Sequence, residues 1–208
     1  MQLDIKCLVL GVMQTNCYII KNRETKEAIC IDPADQAGII EEYLRANDLV
    51  CRGILLTHGH FDHIMAAKKL AELLQVSIYA HEDEVELLGD ADMNYSSQMR
   101  RTCSLIPDIL LKDQQELQMA GFSIKVLHTP GHTAGGVCYY FPEYATVISG
   151  DTLFLESVGR SDFPTGNGEM LIESILSKLM TLEDSVKVYP GHGEPTTIGH
   201  ERVNNFYL

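Results

Sequence analysis

The 208-residue chain has no uninterrupted apolar stretch approaching the ~20 residues that cross a bilayer, so a membrane-spanning role is not expected. Nor is there a surplus of positive charge. Lys and Arg number 16 against 29 Asp and Glu, for a net charge of −13. That balance lacks the basic footprint by which proteins hold nucleic acid or an anionic membrane surface, and neither is expected as a partner. There is no Cys-x-x-Cys pair either. The six cysteines (7, 17, 30, 51, 103 and 138) are scattered among aliphatic neighbours, as in Ile29-Cys30-Ile31 and Val137-Cys138-Tyr139. They read as buried free thiols acting as small hydrophobes, not as disulfides or metal ligands. The opening Met1-Gln2-Leu3-Asp4-Ile5-Lys6 lacks a basic region followed by a long apolar core and a small-residue cleavage site. The expected compartment is therefore the cytoplasm. Without a linker or a sequence repeat, residues 1–208 are expected to form one domain, and a 45% hydrophobic fraction suffices for its core.

Residues 3–10, 16–21 and 27–32 read as closely spaced strands, the third stopped by Pro33, which suggests an antiparallel meander. A helical pattern follows over 36–47, with Asp35 as its expected N-cap. The order strand 53–56, helix 62–75, strand 76–80 forms a strand–helix–strand unit. His81 to Leu88 begins a short helix whose acidic run suits the positive end of the helix dipole better than a metal. Residues 89–113 have weak periodicity and read as a long connection placed to cover a site. The second half repeats the grammar. A hairpin at 116–127 and strands at 136–141 and 145–149 precede a helix at 169–179 and a last strand at 186–189. Two sheets packed face to face with helices outside would account for this order.

Chemistry concentrates at Thr57-His58-Gly59-His60-Phe61-Asp62-His63, between an apolar strand and a helix. His58 and His60 are two residues apart, so in extended backbone both can face one ion. Asp62 and His63 begin the helix and face elsewhere, toward a second ion. His132, Asp151 and His192 each follow an expected strand, beside glycine. His81, His128 and His200 lack such a setting and read as satisfied or surface residues. Seven ligands are too many for one tetrahedral zinc but suit two ions sharing a carboxylate, and imidazole with carboxylate fits zinc, iron or manganese.

Thr57 to His63, Pro130-Gly131-His132, Gly150-Asp151 and Pro190-Gly191-His192-Gly193 together resemble the metallo-β-lactamase superfamily, across nearly the whole chain. Within it the chain is similar to glyoxalase II-related hydrolases (hydroxyacylglutathione hydrolases), especially the short bacterial type. Ser157-Val158-Gly159-Arg160-Ser161-Asp162-Phe163-Pro164 and Glu201-Arg202 followed by Asn205-Phe206 carry that narrower likeness. The resemblance implies an α/β (α+β) fold, a four-layer αβ/βα sandwich of two mixed sheets. It implies two divalent metal ions, zinc first, with iron or manganese as alternatives. His58, His60 and His132 would hold one ion and Asp62, His63 and His192 the other, with Asp151 bridging. It further implies hydrolysis by a metal-bridging hydroxide that attacks a thioester such as S-lactoylglutathione or a related acylthiol. Asp62 and Asp151 are the catalytic carboxylates of that scheme. Aspartate at 151, where some lactamases of the superfamily use cysteine, argues against antibiotic cleavage as the native role.

The pattern departs from typical glyoxalase II in two places. The chain ends soon after His192, without the helical region that contributes to glutathione binding in those enzymes. Gly159-Arg160-Ser161-Asp162-Phe163 replaces their Lys-Phe-Tyr-like segment. Arg160 is thereby the candidate anchor for a substrate carboxylate. The same ligands and a similar Gly-Arg-Thr-Asp-Phe segment also resemble persulfide dioxygenases, in which one iron would use His58, His132 and Asp151. A lactonase or other ester hydrolase is a third reading.

Overall fold

The computed structural model describes residues 2–208. β1 (Leu3–Leu10), β2 (Thr15–Asn22) and β3 (Glu27–Ile31) form the antiparallel meander. β4 (Val50–Leu55), β5 (Ile78–His81) and β6 (Ile109–Leu111) then add in parallel, giving a six-stranded sheet in the order β1 to β6. The helices α1 (Ala37–Ala46), α2 (Phe61–Ile64), α3 (Ala67–Leu74) and α4 (Val85–Gly89) connect them. The second sheet contains β7 (Glu116–Met119), β8 (Phe122–His128), β9 (Val137–Phe141), β10 (Thr146–Gly150), β13 (Lys187–Pro190) and β14 (Thr196–Thr197), in the order β14-β13-β10-β9-β8-β7. A short hairpin, β11 (Leu153–Phe154) with β12 (Ser157–Val158), stands apart from both sheets. α5 (Gly168–Ser174) runs on into a π-helical turn at Ile175–Leu179, and α6 (Ile198–Asn204) follows β14.

Alternation along the central strands divides the core into three layers. On β2, Tyr18 and Ile20 face the second sheet while Cys17 and Ile19 face the helices. The inner layer packs Tyr18, Ile20, Ile29, Ile31 and Leu55 against Phe122, Ile124, Val126, Tyr139 and Phe141. Outside the first sheet lie Ile40 and Leu44 of α1 and Leu70 of α3, and outside the second lie Leu171 of α5 and Ile198 of α6. Strands buried on both faces appear in sequence as near-continuous apolar runs. Each fully buried aliphatic or aromatic side chain contributes about 1.5–3 kcal/mol relative to exposure, so the layers lock together. The architecture is the four-layer αβ/βα sandwich of two mixed sheets.

Several local expectations change. Asp35 does not cap α1. Gln36 occupies the N-cap in a left-handed conformation without a side-chain cap, and Asp35 Oδ1 instead accepts from Gln36 N at 2.7 Å. The expected 62–75 helix is two helices, because Ala66 N donates across to Pro33 O at 3.0 Å. β6, β11, β12, β14 and α6 were not expected. The six cysteines are free thiols, with 17, 30, 51 and 138 buried and 7 and 103 half-buried. Among the described residues no helix is long and apolar enough to cross a membrane.

Candidate metal centre

The carboxyl ends of four strands converge on one edge of the sandwich. β4 leads to His58 and His60, β8 to His132, β10 to Asp151 and β13 to His192, while Asp62 and His63 lie in α2. Bonds between the sheets fix these loops. Tyr139 Oη donates to Leu56 O at 2.6 Å and Val137 N to Thr57 O at 2.8 Å, beside His58. Asn16 N donates to Gly191 O at 2.7 Å, and its Nδ2 donates to Pro190 O at 2.9 Å and Gly193 O at 3.0 Å, bracketing His192. Gly191 is required by close approach: a Cβ there would run into Asp151 Oδ1 and the His63 ring.

All seven expected ligands come together, in two groups. Ligating atoms of His58, His60 and His132 lie within 4.8 Å of one another, as do those of Asp62, His63 and His192. Asp151 stands between the groups. Its Oδ1 is 3.4 Å from His63 Nε2, and its Oδ2 is 3.7 Å from His132 Nε2 and 3.6 Å from His192 Nε2. His58 Nε2, His60 Nε2, His63 Nε2 and Asp151 Oδ1 are buried without a hydrogen-bond partner among the described residues. Such orphaned polar atoms are costly in a protein interior unless a bound group satisfies them. Imidazole nitrogens and carboxylate oxygens converging in this way fit divalent metal ions.

Electrostatics divides the groups as geometry does. Burial, reinforced by the neighbouring imidazoles, holds His58 well below its ordinary value and His60 down to about 3. Burial also lowers His132, against the opposing pull of Asp151. These three present neutral imidazoles, the form that ligates a metal. Around Asp62 and Asp151 the sign reverses. Burial opposes the charged forms there, but carboxylates outweigh it and raise His63 and His192. Conversely, burial of Asp62 and Asp151 is outweighed by His63 and its neighbours, so both carboxyls are lowered.

Supporting residues escaped the sequence reading. Asp32 is buried at the end of β3. Its Oδ1 accepts from Thr57 N at 2.7 Å, and its Oδ2 accepts from Thr57 Oγ1 at 2.6 Å and pairs with His63 Nδ1 at 2.9 Å. Its strand-end position, like that of the ligands, was the available signal. Thr15 Oγ1 donates to Asp62 Oδ2 at 2.9 Å. Glu84, read as one of several first-turn acids, is instead 1% exposed, and burial pushes its carboxyl up to about 7 against three hydrogen bonds. His81 and His128 stack at 3.9 Å between ring centroids with a 14° interplanar angle. With Asp83 their ligating atoms lie within 4.8 Å of one another, but His128 Nε2 is 2.8 Å from Ala134 O and His81 Nδ1 accepts from Asp83 N at 3.3 Å. His200 pairs with Glu156 at 2.9 Å on the surface.

A cavity of about 610 Å³ opens over the ligands, walled by Met13, Tyr95, Met99, Phe154 and Phe163. Tyr95 comes from the 89–113 connection, which does cover the site. Arg160 lies at the rim. Its Nε and Nη2 donate to Asp162 at 2.9 and 2.7 Å, and its guanidinium sits 4.3 Å from the Phe163 ring centroid. Its carbonyl, 2.6 Å from His132 Nδ1, reaches the ligands themselves. Glu201 holds the β11–β12 hairpin that carries Phe154, accepting from Glu156 N at 2.9 Å and Asn205 Nδ2 at 2.8 Å.

Two mixed sheets between helices, with His and Asp ligands gathered at their shared edge, define an αβ/βα metalloprotein. The model of the metallo-beta-lactamase superfamily matches residues 10–192, and the chain belongs to that superfamily. Among its relatives are the probable metallo-hydrolase YqgX of Bacillus subtilis, 36% identical over 96% of this chain and 94% of that one. Hydroxyacylglutathione hydrolase GloC of Haemophilus influenzae is 34% identical over 99% and 98%. Similar solved structures are BLEG-1, described as a B3 metallo-beta-lactamase (38% identity, TM-score 0.94, 99% of each chain), and TTHA1623 in a di-iron-bound form (36%, 0.88, covering 98% and 100%). ETHE1 from Myxococcus xanthus is 28% identical with a TM-score of 0.82, covering 98% of this chain and 83% of that one. The chain thus stands among the metallo-hydrolases.

Proposed function

We propose that the protein is a thioester hydrolase of the glyoxalase II type, acting on S-lactoylglutathione or a related acylthiol. The observation that carries this reading is Asp151, whose oxygens lie near His132 of the first group and near His63 and His192 of the second. His58, His60 and His132 would hold one divalent ion, Asp62, His63 and His192 a second, and Asp151 both. Zinc suits this donor set, with iron or manganese as alternatives. The full-length similarity to GloC supports the substrate class, and the di-iron form of TTHA1623 supports two ions. Bound divalent ions supply a water that ionises near neutral pH and polarise the carbonyl under attack.

The chain's own part is positioning. Asp62, ionised and fixed through Oδ2 by Thr15, orients the attacking water and accepts its hydrogen bond. Phe163, Tyr95 and Phe154 exclude bulk water from the reacting carbonyl, and the hydroxy acid and free thiol leave through the same mouth. Arg160 stands where a substrate carboxylate could take it from Asp162. Protein analysed for metal and assayed with S-lactoylglutathione is expected to hold two ions per chain and to release thiol. Parallel assays would cover a lactone, a β-lactam and glutathione persulfide with oxygen uptake. One iron per chain with oxygen consumed on the persulfide would replace the hydrolase with a dioxygenase. Cytoplasmic residence belongs to the same proposal.

A further inference from the structure

One buried carboxylate bonds to both loops that carry the first group, at the Gly59 backbone between His58 and His60 and at Thr133 and Gly135 just after His132. Glu84 Oε1 accepts from Gly59 N at 2.7 Å, and Gly59 separates His58 from His60. Glu84 Oε2 accepts from Gly135 N at 2.7 Å and from Thr133 Oγ1 at 3.0 Å, and Thr133 follows His132. The loops come from different sheets, one after β4 and the other between β8 and β9. The approach is as close as chemistry permits, because a Cβ on Gly135 would overlap the Glu84 backbone nitrogen. On the far side, His128 Nε2 lies 2.8 Å from Ala134 O, so both faces of that loop are held.

We propose that Glu84 is a positioning residue, a clasp that sets the spacing between the His58–His60 loop and the His132 loop and so the affinity of the first metal group. The inference rests on the two-ion reading above. Burying a carboxylate is costly, and an apolar side chain would fill the space without that cost. What an apolar side chain cannot do is accept from three donors on two loops at once. The second group has supports that do not involve Glu84: Thr15 on Asp62, Asp32 on His63 and Asn16 around His192. Loss of the clasp should therefore act on one ion and spare the other.

Glu84→Gln tests this, since its amide keeps one acceptor and turns a nitrogen toward a backbone N–H. The variant is made alone, with His192→Ala to cripple the second group, and with His58→Ala to cripple the first. The readout is zinc per chain under chelator competition, with no assay of activity. We expect wild type to hold two ions and each ligand variant one. Adding Glu84→Gln to His192→Ala should weaken the remaining ion about tenfold or more, in the range for residues that support metal ligands from behind. Adding it to His58→Ala should leave the remaining ion unchanged. Hydrogen exchange of metal-free Glu84→Gln should show faster amides at Gly59 and Gly135 and an unchanged amide at Thr57. Equal zinc affinity in His192→Ala with and without Glu84→Gln would overturn the clasp. So would equal weakening in both backgrounds, the mark of a general structural role. Wild type holding fewer than two ions would overturn the two-ion reading itself. Should Glu84→Gln not fold, Thr133→Val removes one of the three bonds. It is expected to weaken the same ion by a smaller factor, and no change there would equally refute the proposal.

Discussion

His63 Nδ1 lies 2.9 Å from Asp32 Oδ2, both side chains buried. A carboxylate in that position accepts a hydrogen bond from Nδ1–H, which keeps the proton on Nδ1 and turns Nε2 toward Asp151 as the atom free to bind a metal. The same carboxylate accepts from Thr57 N and Oγ1, so one residue fixes both a ligand's tautomer and the start of the ligand loop. Asp32→Asn puts an amide N–H against a donor. Metal affinity is expected to fall ten- to hundredfold, and the metal-free protein to lose about 1–3 kcal/mol. Chelator competition and urea unfolding measure the two effects. Unchanged affinity would remove Asp32 from any role at the site.

Asp151→Ala removes the carboxylate that lies between the two groups. Metal content and activity are expected to be lost together, because its oxygens lie 3.4–3.7 Å from imidazole nitrogens of both sets, His132 of the first and His63 and His192 of the second. Elemental analysis of purified protein checks this, and full occupancy in the variant would contradict a bridging role.

Gly191→Ala tests packing at the same place. The added methyl would press on Asp151 Oδ1 and His63. Gly191 N donates to Gly150 O at 2.8 Å and Gly191 O accepts from Asn16 N, so its backbone is tied on both sides. Overpacking of this kind costs about 1–3 kcal/mol, here concentrated on two ligands. A folded protein with reduced metal content is the expected result, read by circular dichroism and metal analysis. Full occupancy would mean that the loop yields more readily than its hydrogen bonds indicate.

The seven candidate ligands, which the structure brings together, were legible because each stands where a strand ends or a helix begins, often beside a glycine that admits close approach. The two sheets were legible because strands buried on both faces leave apolar runs. Glu84 was not, since nothing in His81-Glu82-Asp83-Glu84 distinguishes the one carboxylate that turns inward to Gly59 and Gly135. The break between α2 and α3 was equally hidden. Local pattern favours one continuous helix, and only the distant Pro33 carbonyl diverts Ala66 N. β14 and β6 are two and three residues long, too short to show a period, yet their sheets extend to them through backbone pairing.

The thiols make stability depend on alkaline pH. Burial pushes Cys138 up to about 11, and burial with the nearby Cys17 does the same for Cys7, against an ordinary value of 9.0. An unfolded chain thus ionises these thiols near 9 while the folded chain keeps the protons. The associated stability is complete below pH 9 and is lost as pH rises through about 11. For Cys138 the slope is at most about 1.4 kcal/mol per pH unit. Urea midpoints of the metal-free protein should fall over that window, and less steeply in Cys138→Ala. Identical slopes would show that this thiol carries none of the effect.

Phe163 offers the most direct test of how the cavity reads its substrate. Its ring lies 5.1 Å from that of His60 and 5.2 Å from that of Tyr95, with the Arg160 guanidinium on its face. Phe163→Ala therefore removes a wall of the cavity and frees Arg160, while every candidate ligand is kept. Each substrate methylene buried against that wall contributes about 0.8 kcal/mol to binding. Since about 1.4 kcal/mol is tenfold in affinity, KM for S-lactoylglutathione is expected to rise up to about tenfold. The kcat should change little, because the ligands and Asp62 stay in place. Steady-state kinetics on metal-analysed protein decide the matter. A fall in kcat at constant KM would mean that Phe163 acts through the His60 ring, whereas no change in either would put substrate binding on other wall residues such as Met13 and Phe154.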